Sequence, residues 1–434
     1  MVVIGGGFAG YHAAHSLLRQ LGGRAEVALV SPTDYFLYVP LLPEVAAGIL
    51  EPRRVSVSLA ATLPGVRLVL GMVDRIDVED QRVSLVDLEG ARHDVGYDRL
   101  VIAAGSVTKL LPVPGVAEHA HGFRGVPEAL YLRDHLTRQL ELAAVAEDSA
   151  ERSARCTVVV VGAGYTGTEV AAHGKLFTDE LAHAHPSLGE HPVRWLLVDV
   201  ASRVLPGLDE RLSRTADTVL RARGVEVRMG VSIEEATPVG VRLTTGEELA
   251  TRTIVWCVGV RPDPLIESLG LPTQQGRLVV NEDLTVPEHP DILACGDAAA
   301  VPDRARPGQA TAMTAQHAVR QGKLAGRNVA ASLRGKRLRR YRHHDLGFVV
   351  DLGGTDAAAN PLGLPLSGLP AKAVTRGYHL LSMPGNRLRT AVDWTLDTVQ
   401  RRQSVQLGLV RSPEVPLDTA SPELPRHGVP TARD

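Results

Sequence analysis

The amino-acid sequence predicts an α/β fold that contains two parallel-sheet units of the same design. The pattern G-x-G-x-x-G occurs twice in the 434 residues, at residues 5–10 and again at residues 162–167. A β-branched run precedes each copy and a helical apolar pattern follows it, as the strand, turn and helix of a Rossmann-like unit require. Two such units and a basic, amphipathic α+β segment near the carboxyl terminus make up the predicted architecture.

The first glycine turn is suited to the pyrophosphate of a dinucleotide. In this geometry Gly5 makes the tight turn, Gly7 lets the backbone approach the phosphates, and Gly10 lets the helix pack on the strand. The amino end of the helix adds unpaired N–H groups and about half a positive charge. The second strand ends at Ser31, where an acidic residue usually binds the ribose. We expect the serine hydroxyl to share that role.

The second glycine turn, with Gly162, Gly164 and Gly167, is followed by a strand that ends in Asp199. The spacing is longer than the usual ~20 residues, and a histidine-rich insertion accounts for the excess. A carboxylate at this position accepts both ribose hydroxyls and repels a 2′-phosphate, which predicts NADH rather than NADPH. Arg203 keeps NADPH open as an alternative.

Three further turns of small residues follow apolar strands and suit a backbone that passes close to a ligand. They contain Ala104 and Gly105, then Gly259, and finally Asp297. Asp297 is expected either to cap the next helix or to bind a ribityl hydroxyl.

Composition limits the classes of function. The chain is 44% apolar and 22% charged with a formal net charge of -2, so nothing global indicates nucleic-acid binding. The three cysteines are far apart in sequence, and the histidines of residues 176–192, expected to form a solvated loop, lack partners at metal-ligand spacing. No metal site is predicted. No signal peptide or apolar run of ~18 residues is found, which predicts a cytoplasmic protein. The first strand begins at residue 1, which suggests that a few residues are missing upstream.

Taken in order, these motifs resemble those of the two-dinucleotide-binding-domain flavoproteins, and within them the type II, non-proton-pumping NADH dehydrogenases. The resemblance covers roughly residues 1–400. Beyond the two glycine motifs it rests on residues 39–45 (VPLLPEV), residues 295–297 (CGD) and residues 314–322 (TAQHAVRQG).

The resemblance implies FAD in the first unit, NADH in the second, and a membrane quinone as electron acceptor. It assigns Asp297 to the ribityl chain and Ala315, Gln316 and Gln321 to the flavin and quinone side. Glu169 matches a carboxylate near the nicotinamide and quinone. Arg320 stands where the family has the first glutamine of a pair, which puts the identity of the acceptor in question.

The carboxyl-terminal region has a basic run at residues 334–342, followed by a helical pattern of Leu388, Val392, Leu396 and Val399. A basic amphipathic helix either lies in a membrane surface or packs on a core. The resemblance favours a peripheral position on the inner face of the cell membrane. A homodimer is also left open.

The predicted domains divide the chain as follows: residues 1–125 and 266–335 for FAD, 155–265 for NADH, 336–410 for the membrane and quinone side, and 411–434 as a disordered tail.

Three alternatives were weighed. A sulfide:quinone oxidoreductase needs two cysteines that meet over the flavin, and Cys156, Cys257 and Cys295 do not suggest such a pair. A soluble NAD(P)H-dependent reductase of a small partner would leave the terminal helix as core packing. A redox-sensing flavoprotein would bind both nucleotides and turn over slowly.

Overall fold

The computed structural model describes residues 1–188, 193–400, 402 and 405–417. Its α-helices are α1 Phe8–Leu21, α2 Leu42–Ala46, α3 Pro52–Val55, α4 Leu59–Thr62, α5 Val116–His119, α6 Val126–Val145, α7 Ser149–Arg155, α8 Tyr165–His183, α9 Glu210–Ala222, α10 Leu265–Ser268, α11 Ala315–Ser332, α12 Gly368–Ser382 and α13 Arg387–Val399. Short 3-10 helices span Val39–Leu41, Pro186–Leu188, Gly296–Ala298, Pro361–Gly363 and Ser412–Glu414.

The strands of the described chain are β1 Val2–Ile4, β2 Ala28–Ser31, β3 Tyr35–Leu37, β4 Ser56–Ser58, β5 Arg67–Leu70, β6 Met72–Asp77, β7 Arg82–Val86, β8 Arg92–Gly96, β9 Leu100–Ile102, β10 Ser106–Thr108, β11 His121–Gly122, β12 Thr157–Val161, β13 Arg194–Asp199, β14 Val225–Met229, β15 Ile233–Thr237, β16 Gly240–Leu243, β17 Glu248–Ala250, β18 Thr253–Trp256, β19 Val260–Pro262, β20 Thr273–Gln274, β21 Arg277–Val279, β22 Thr285–Val286, β23 His289–Ala294, β24 Ala299–Ala300, β25 Val349–Asp351, β26 Ala357–Ala359 and β27 Leu366–Ser367.

The first compact unit comprises residues 1–37, 56–107 and 260–344. Its six-stranded sheet has the order β22-β23-β9-β1-β2-β5 and is parallel except at the β22–β23 pair. Strand β1 is buried along its whole length, as expected for a parallel sheet covered on both faces. Helices α1 and α11 can pack closely because Gly322 has no side chain. A Cβ atom at this position would lie 2.1 Å from the carbonyl oxygen of Ala9.

The second compact unit comprises residues 38–55, 108–259 and the described residues from 345 onward. Its five-stranded parallel sheet has the order β11-β18-β12-β13-β14. The core includes two fully buried tryptophans, Trp195 and Trp256. A Cβ atom at Gly174 of α8 would lie 2.1 Å from the Trp195 ring, so glycine is required where the helix crosses this side chain.

These units differ from the predicted domains at several places. The amino-terminal part of the first unit ends at residue 107, whereas the predicted FAD domain continues to residue 125. The unit begins again at residue 260 rather than at the predicted residue 266. Residues 38–55, predicted as part of the FAD domain, belong to the second unit. The described residues after 344 also belong to the second unit.

The histidine-rich insertion is partly helical, although a loop was predicted. Helix α8 continues to His183, and the 3-10 helix Pro186–Leu188 follows it. His185 pairs with Glu141 across 3.3 Å. His191 lies outside the described residues.

The carboxyl-terminal segment is α+β, with an antiparallel β25-β26-β27 sheet and helices α12 and α13. Arg54 of α3 forms a two-point ion pair with Asp393 of α13. Val415 and Leu417 are 4% and 2% exposed, so the predicted disorder of the tail is wrong for these residues. The rest of that tail, residues 418–434, lies outside the described chain. None of the described helices is both long and apolar enough to cross a bilayer.

Candidate active site

In the first unit, the glycine turn between β1 and α1 leaves an open face above the start of the helix. Gly5 has a φ of 98°, and a Cβ atom there would lie 2.3 Å from the carbonyl oxygen of Ala103. A Cβ at Gly10 would lie 1.8 Å from the carbonyl oxygen of Gly5. At Gly7 a Cβ would meet nothing within 4 Å, and no side chain caps α1. The N–H groups at this end of the helix fit a pyrophosphate.

Ser31 and the turn after β9 border this glycine loop. Ser31 is 2% exposed, and a Cβ atom at Gly6 would lie 2.6 Å from its Oγ. The same Oγ accepts the N–H of Thr33 at 3.3 Å. After Ala104, Gly105 has a φ of 80°, and a Cβ there would meet nothing within 4 Å. The turn therefore presents bare backbone.

Gln321 anchors the turn that carries Asp297. Its Oε1 accepts the N–H of Gly296 at 2.8 Å, and its Nε2 donates to Oγ1 of Thr311 at 2.9 Å. The side chain is completely buried. Oδ2 of Asp297 accepts the hydroxyl of Ser106 at 2.7 Å. Since protein partners engage both ends of its amide, Gln321 acts on the site by holding this turn.

Ala315 and Gln316 form the first turn of α11, where Oγ1 of Thr314 accepts the N–H of His317 at 3.4 Å. Arg320 donates from Nη1 to Oε1 of Gln316 at 3.0 Å and to its carbonyl oxygen at 3.1 Å. The arginine that departs from the family pattern therefore orients Gln316.

In the second unit, the turn between β12 and α8 repeats the geometry of the first. A Cβ atom at Gly162 would lie 2.2 Å from the carbonyl oxygen of Cys257, and one at Gly167 would lie 1.8 Å from the carbonyl oxygen of Gly162. A Cβ at Gly164 would meet nothing within 4 Å, and no side chain caps α8. This turn also fits a pyrophosphate.

Asp199 lies at the end of β13, beside this second turn. Its Oδ2 accepts the N–H of Ala163 at 2.6 Å and its Oδ1 accepts the N–H of Ala201 at 2.7 Å. The carboxylate is thereby fixed against the glycine loop. Gly259, after β18, has a φ of 103° and an open Cβ direction, so its turn presents bare backbone as well.

Glu169 of α8 belongs to a group of buried polar side chains within the second unit. We call this group the ionic cluster and define it as Glu44, Glu169, His173, Asp351 and Lys372. Oε1 of Glu169 accepts the N–H of Asp351 at 2.9 Å. Nζ of Lys372 donates to both oxygens of Asp351, and Nε2 of His173 lies 3.2 Å from Oδ1 of the same residue.

Burial sets the charge states in the ionic cluster. It raises the pKa of Glu169 well above the usual value and raises the pKa of Glu44 to about 7, with a further contribution from Asp351. It lowers the pKa of His173, which favours the neutral imidazole. Burial also opposes the ionisation of Asp351, but His173 and Lys372 outweigh it and keep the pKa of Asp351 below its usual range. The cluster therefore contains one ion pair and two carboxyl groups that favour the protonated form.

Three members of the cluster have the donor atoms of a metal site, a grouping that the sequence did not suggest. Ligand atoms of Glu44, His173 and Asp351 lie within 4.8 Å of one another. The Lys372 ammonium, however, already contacts both oxygens of Asp351 and supplies the positive charge there. We therefore interpret the group as a proton-binding cluster.

Helices α12 and α13 expose an apolar surface, which we call the apolar face. Its side chains are between 45% and 78% exposed and comprise Leu369, Leu381, Leu388, Val392, Leu396 and Val399. Arg387 and Arg389 are exposed on the same helix α13.

All three cysteines are free, and two of them are poor nucleophiles. Burial raises the pKa of Cys257 and of Cys295 to about 12, so both are thiols at neutral pH. This argues against the sulfide-oxidising alternative, which requires reactive cysteines.

Sequence reasoning missed His173, Asp351 and Lys372. One signal was present, since Asp351 ends an apolar strand in the way that Asp199 does. The partners of Asp351 come from distant helices, and no local pattern predicts them.

The family described as pyridine nucleotide-disulphide oxidoreductase matches residues 1–322. The type II NADH:quinone oxidoreductase NdhA of Mycobacterium tuberculosis is 30% identical over 411 residues, covering 90% of this chain and 85% of that protein. The demethylphylloquinone reductase NdbB of Synechocystis is 31% identical over 404 residues, covering 90% of this chain and 94% of that protein. The solved structure of NDH2 from Plasmodium falciparum in complex with NADH has the same fold, with a TM-score of 0.84 at 17% identity over 93% of this chain and 99% of that one.

The chain therefore belongs to the pyridine nucleotide-disulphide oxidoreductase family. Within that family it belongs with the type II NADH:quinone oxidoreductases, whose members match it over most of its length. The resemblance predicted from the motifs is confirmed.

Proposed function

We propose that the protein is a flavin-dependent NADH:quinone oxidoreductase that does not pump protons. The observation that carries the proposal is the pair of glycine turns, each with an uncapped helix start and an open face at its middle glycine. The names of the related type II NADH:quinone oxidoreductases indicate NADH and a quinone as the substrates. FAD is assigned to the first turn and NADH to the second.

FAD, when bound, supplies the chemistry that accepts a hydride from NADH and delivers two electrons to a quinone. The residues of the first unit hold and orient it. The N–H groups at Gly7 would bind the pyrophosphate, Ser31 would contact the ribose, and Asp297 would accept a ribityl hydroxyl. Gln321 supports Asp297 by fixing the turn at Gly296.

In the second unit, Asp199 would select NADH. Each of its oxygens accepts one backbone N–H and retains a lone pair for a ribose hydroxyl. Its charge would repel a 2′-phosphate. Arg203 donates from Nη2 to the carbonyl oxygens of Pro206 and Leu208 at 3.2 and 3.0 Å, so the backbone holds one amino group of its guanidinium.

On the quinone side we assign roles to Gln316 in the first unit and to Glu169 in the second. Arg320 holds the amide of Gln316, which would orient it as a hydrogen-bond partner. Burial raises the pKa of Glu169 and so favours the protonated form that a proton donor needs before transfer. Residues 39–45 (VPLLPEV), which the resemblance also uses, support this assignment because their Glu44 joins Glu169 in the ionic cluster.

The apolar face supports a peripheral position on the inner surface of the cell membrane. Transferring a leucine-sized side chain from water gains about 1.5–3 kcal/mol. Each basic residue near anionic lipid adds about 1 kcal/mol, and Arg387 and Arg389 lie beside the apolar side chains. A homodimer, the other partner considered, stays a prediction.

An anaerobic experiment tests the function. The purified protein, with its flavin, is mixed with NADH while the flavin absorbance is followed, and a short-chain quinone is then added. We expect bleaching by NADH and rapid recovery with quinone. NADPH and sulfide, as parallel donors, should bleach the flavin much more slowly.

Two results would contradict the proposal. A protein purified without flavin, and unable to take it up, would remove the cofactor assignment. Bleaching without recovery would retain both nucleotide sites but move the acceptor to a protein or to another small molecule.

A further inference from the structure

Glu44 is a buried carboxyl group in α2, and only one of its oxygens has a hydrogen-bond partner. The residue is 2% exposed, and Oε2 accepts the indole N–H of Trp394 in α13. Among the described residues, Oε1 has no hydrogen-bond partner. A buried carboxylate with an unpaired oxygen is costly, so the protonated form is favoured.

The positive charge near Glu44 is largely committed to another group. Lys372 contacts both oxygens of Asp351, and the Arg376 guanidinium lies 5.0 Å from the centre of the Trp394 ring. The titratable and charged groups that face Glu44 from α8, β25 and α12 are Glu169, His173, Asp351, Lys372 and Arg376. Burial and the charge of Asp351 raise the pKa of Glu44 to about 7, which lets it gain and lose a proton near neutral pH.

The reaction of the proposed function consumes one proton from outside the substrates. Hydride transfer from NADH carries two electrons and one proton, whereas a quinone takes up two electrons and two protons to become a quinol. The second proton therefore comes from the solvent, either directly or through a side chain of the protein.

We propose that Glu44 holds the replacement proton and passes it to Glu169 through the ionic cluster, with Trp394 holding the carboxyl group in place. Once Glu169 has given its proton to the quinol oxygen, the O–H bond of Glu44 breaks and the proton moves to the Glu169 carboxylate. Glu44 is left as a carboxylate and is reprotonated from water. This proposal rests on the proposed function, and Glu44 is a positioning residue in it, since it acts through Glu169.

The test separates the two halves of the reaction in the flavin-loaded protein. E44Q keeps the size of the side chain and an oxygen that accepts the Trp394 N–H, but it carries no transferable proton. Flavin reduction by NADH should stay within about twofold of the wild type, and reoxidation by a short-chain quinone should slow by roughly 100-fold. The matched control is E51Q, because Glu51 is an exposed carboxylate a short distance along the same segment.

The pH profile gives a readout that a structural role does not move. In the wild type, reoxidation should slow as the pH rises through about 7, because the protonated form of Glu44 is lost. E44Q should show no such fall. W394F keeps an aromatic ring but removes the indole N–H, which favours the ionised form of Glu44. The pKa of Glu44 should therefore rise, and the fall in the reoxidation rate should move to higher pH.

Each outcome decides a different question. Wild-type protein that quinone fails to reoxidise overturns the proposed function and this inference with it. Wild-type protein that is reoxidised, with E44Q matching it in rate and pH profile, overturns the inference alone. If E44Q does not fold or loses flavin, W394F decides, and an unmoved pH profile in W394F rejects the role of Glu44.

Discussion

The Nζ atom of Lys372 lies 2.5 and 2.7 Å from the two carboxylate oxygens of Asp351. Their side chains are 7% and 6% exposed, so the ion pair is formed away from water. It joins α12 to β25 inside the second unit. Removing one partner from such a pair leaves the other charge buried and unpaired, which costs more than the intact pair contributes.

Lys372→Met should therefore destabilise the protein by about 3–5 kcal/mol in urea unfolding. The double variant Asp351→Asn with Lys372→Met should recover a large part of that loss, because no buried charge remains. The control is Arg214→Ala, which breaks an exposed pair with Glu210 and should cost below about 1 kcal/mol. A Lys372→Met protein as stable as the wild type would show that the carboxylate of Asp351 is solvated.

The raised pKa of Glu169 predicts a dependence of stability on pH. Because the folded protein holds this proton more tightly than the unfolded chain, stability is lost as the pH rises above the usual carboxyl value of 4.5. E169Q lacks this loss, so its stability relative to the wild type should increase from about pH 4.5 towards pH 8. Urea unfolding across that range measures the difference. Exposed Glu248→Gln should leave the wild-type profile unchanged, and a constant difference for E169Q would contradict the assignment.

The first glycine turn provides two substitutions with opposite expectations. Gly7→Ala places a Cβ atom where the protein has open space, at a φ of -76° that alanine tolerates. It should fold with stability within about 1 kcal/mol of the wild type but purify with less flavin, because the Cβ occupies the phosphate face. In Gly10→Ala the new Cβ atom collides with the carbonyl oxygen of Gly5, so this variant should lose both its stability and its flavin. Flavin content and thermal unfolding distinguish them, and full flavin retention by Gly7→Ala would place the pyrophosphate elsewhere.

Asp199→Asn should weaken selection for NADH. Losing a charge-assisted hydrogen bond to the ribose costs about 1.5–3 kcal/mol, which corresponds to a rise in KM for NADH of roughly 10- to 100-fold. Activity with NADPH should rise relative to NADH because the repulsion is gone. Steady-state kinetics with both nucleotides measures this, with Arg203→Gln as the control. If Arg203→Gln and not Asp199→Asn changes the preference, the arginine sets the specificity.

The apolar face should carry membrane binding. Leu388→Asp together with Val392→Asp removes two exposed apolar side chains and adds negative charge, so binding to anionic vesicles should fall by at least about tenfold. Thermal stability should change little because both residues are exposed. Val239→Asp, at another exposed site of the same unit, is the control for added charge. Vesicle flotation is the measurement, and unchanged binding would move the docking surface elsewhere.

The glycine turns were predictable because their information is local. A strand, three glycines and a helix occupy a short run of sequence, and the steric reasons for Gly5 and Gly10 lie within the same unit of structure. The ionic cluster was not predictable for the opposite reason. Asp351, Lys372 and Glu169 are far apart in sequence, and only the packing of the carboxyl-terminal segment on α8 brings them together.

Two local features also have physical causes. The charged stretch after residue 146 is helical, because Asp148 caps α7 by accepting the N–H groups of Ala150 and Glu151. The proline-rich tail is predicted to be disordered because it has no apolar periodicity, yet Val415 and Leu417 are buried, and Leu417 belongs to a hydrophobic core cluster of the second unit.

Helix α13 is tied to the interior by the Arg54–Asp393 ion pair as well as by Trp394. Cutting the chain before this helix would expose the carboxyl group of Glu44 and remove the ion-pair partner of Arg54. A variant with a less apolar surface therefore has to keep the helix backbone and replace its outward leucines and valines one by one.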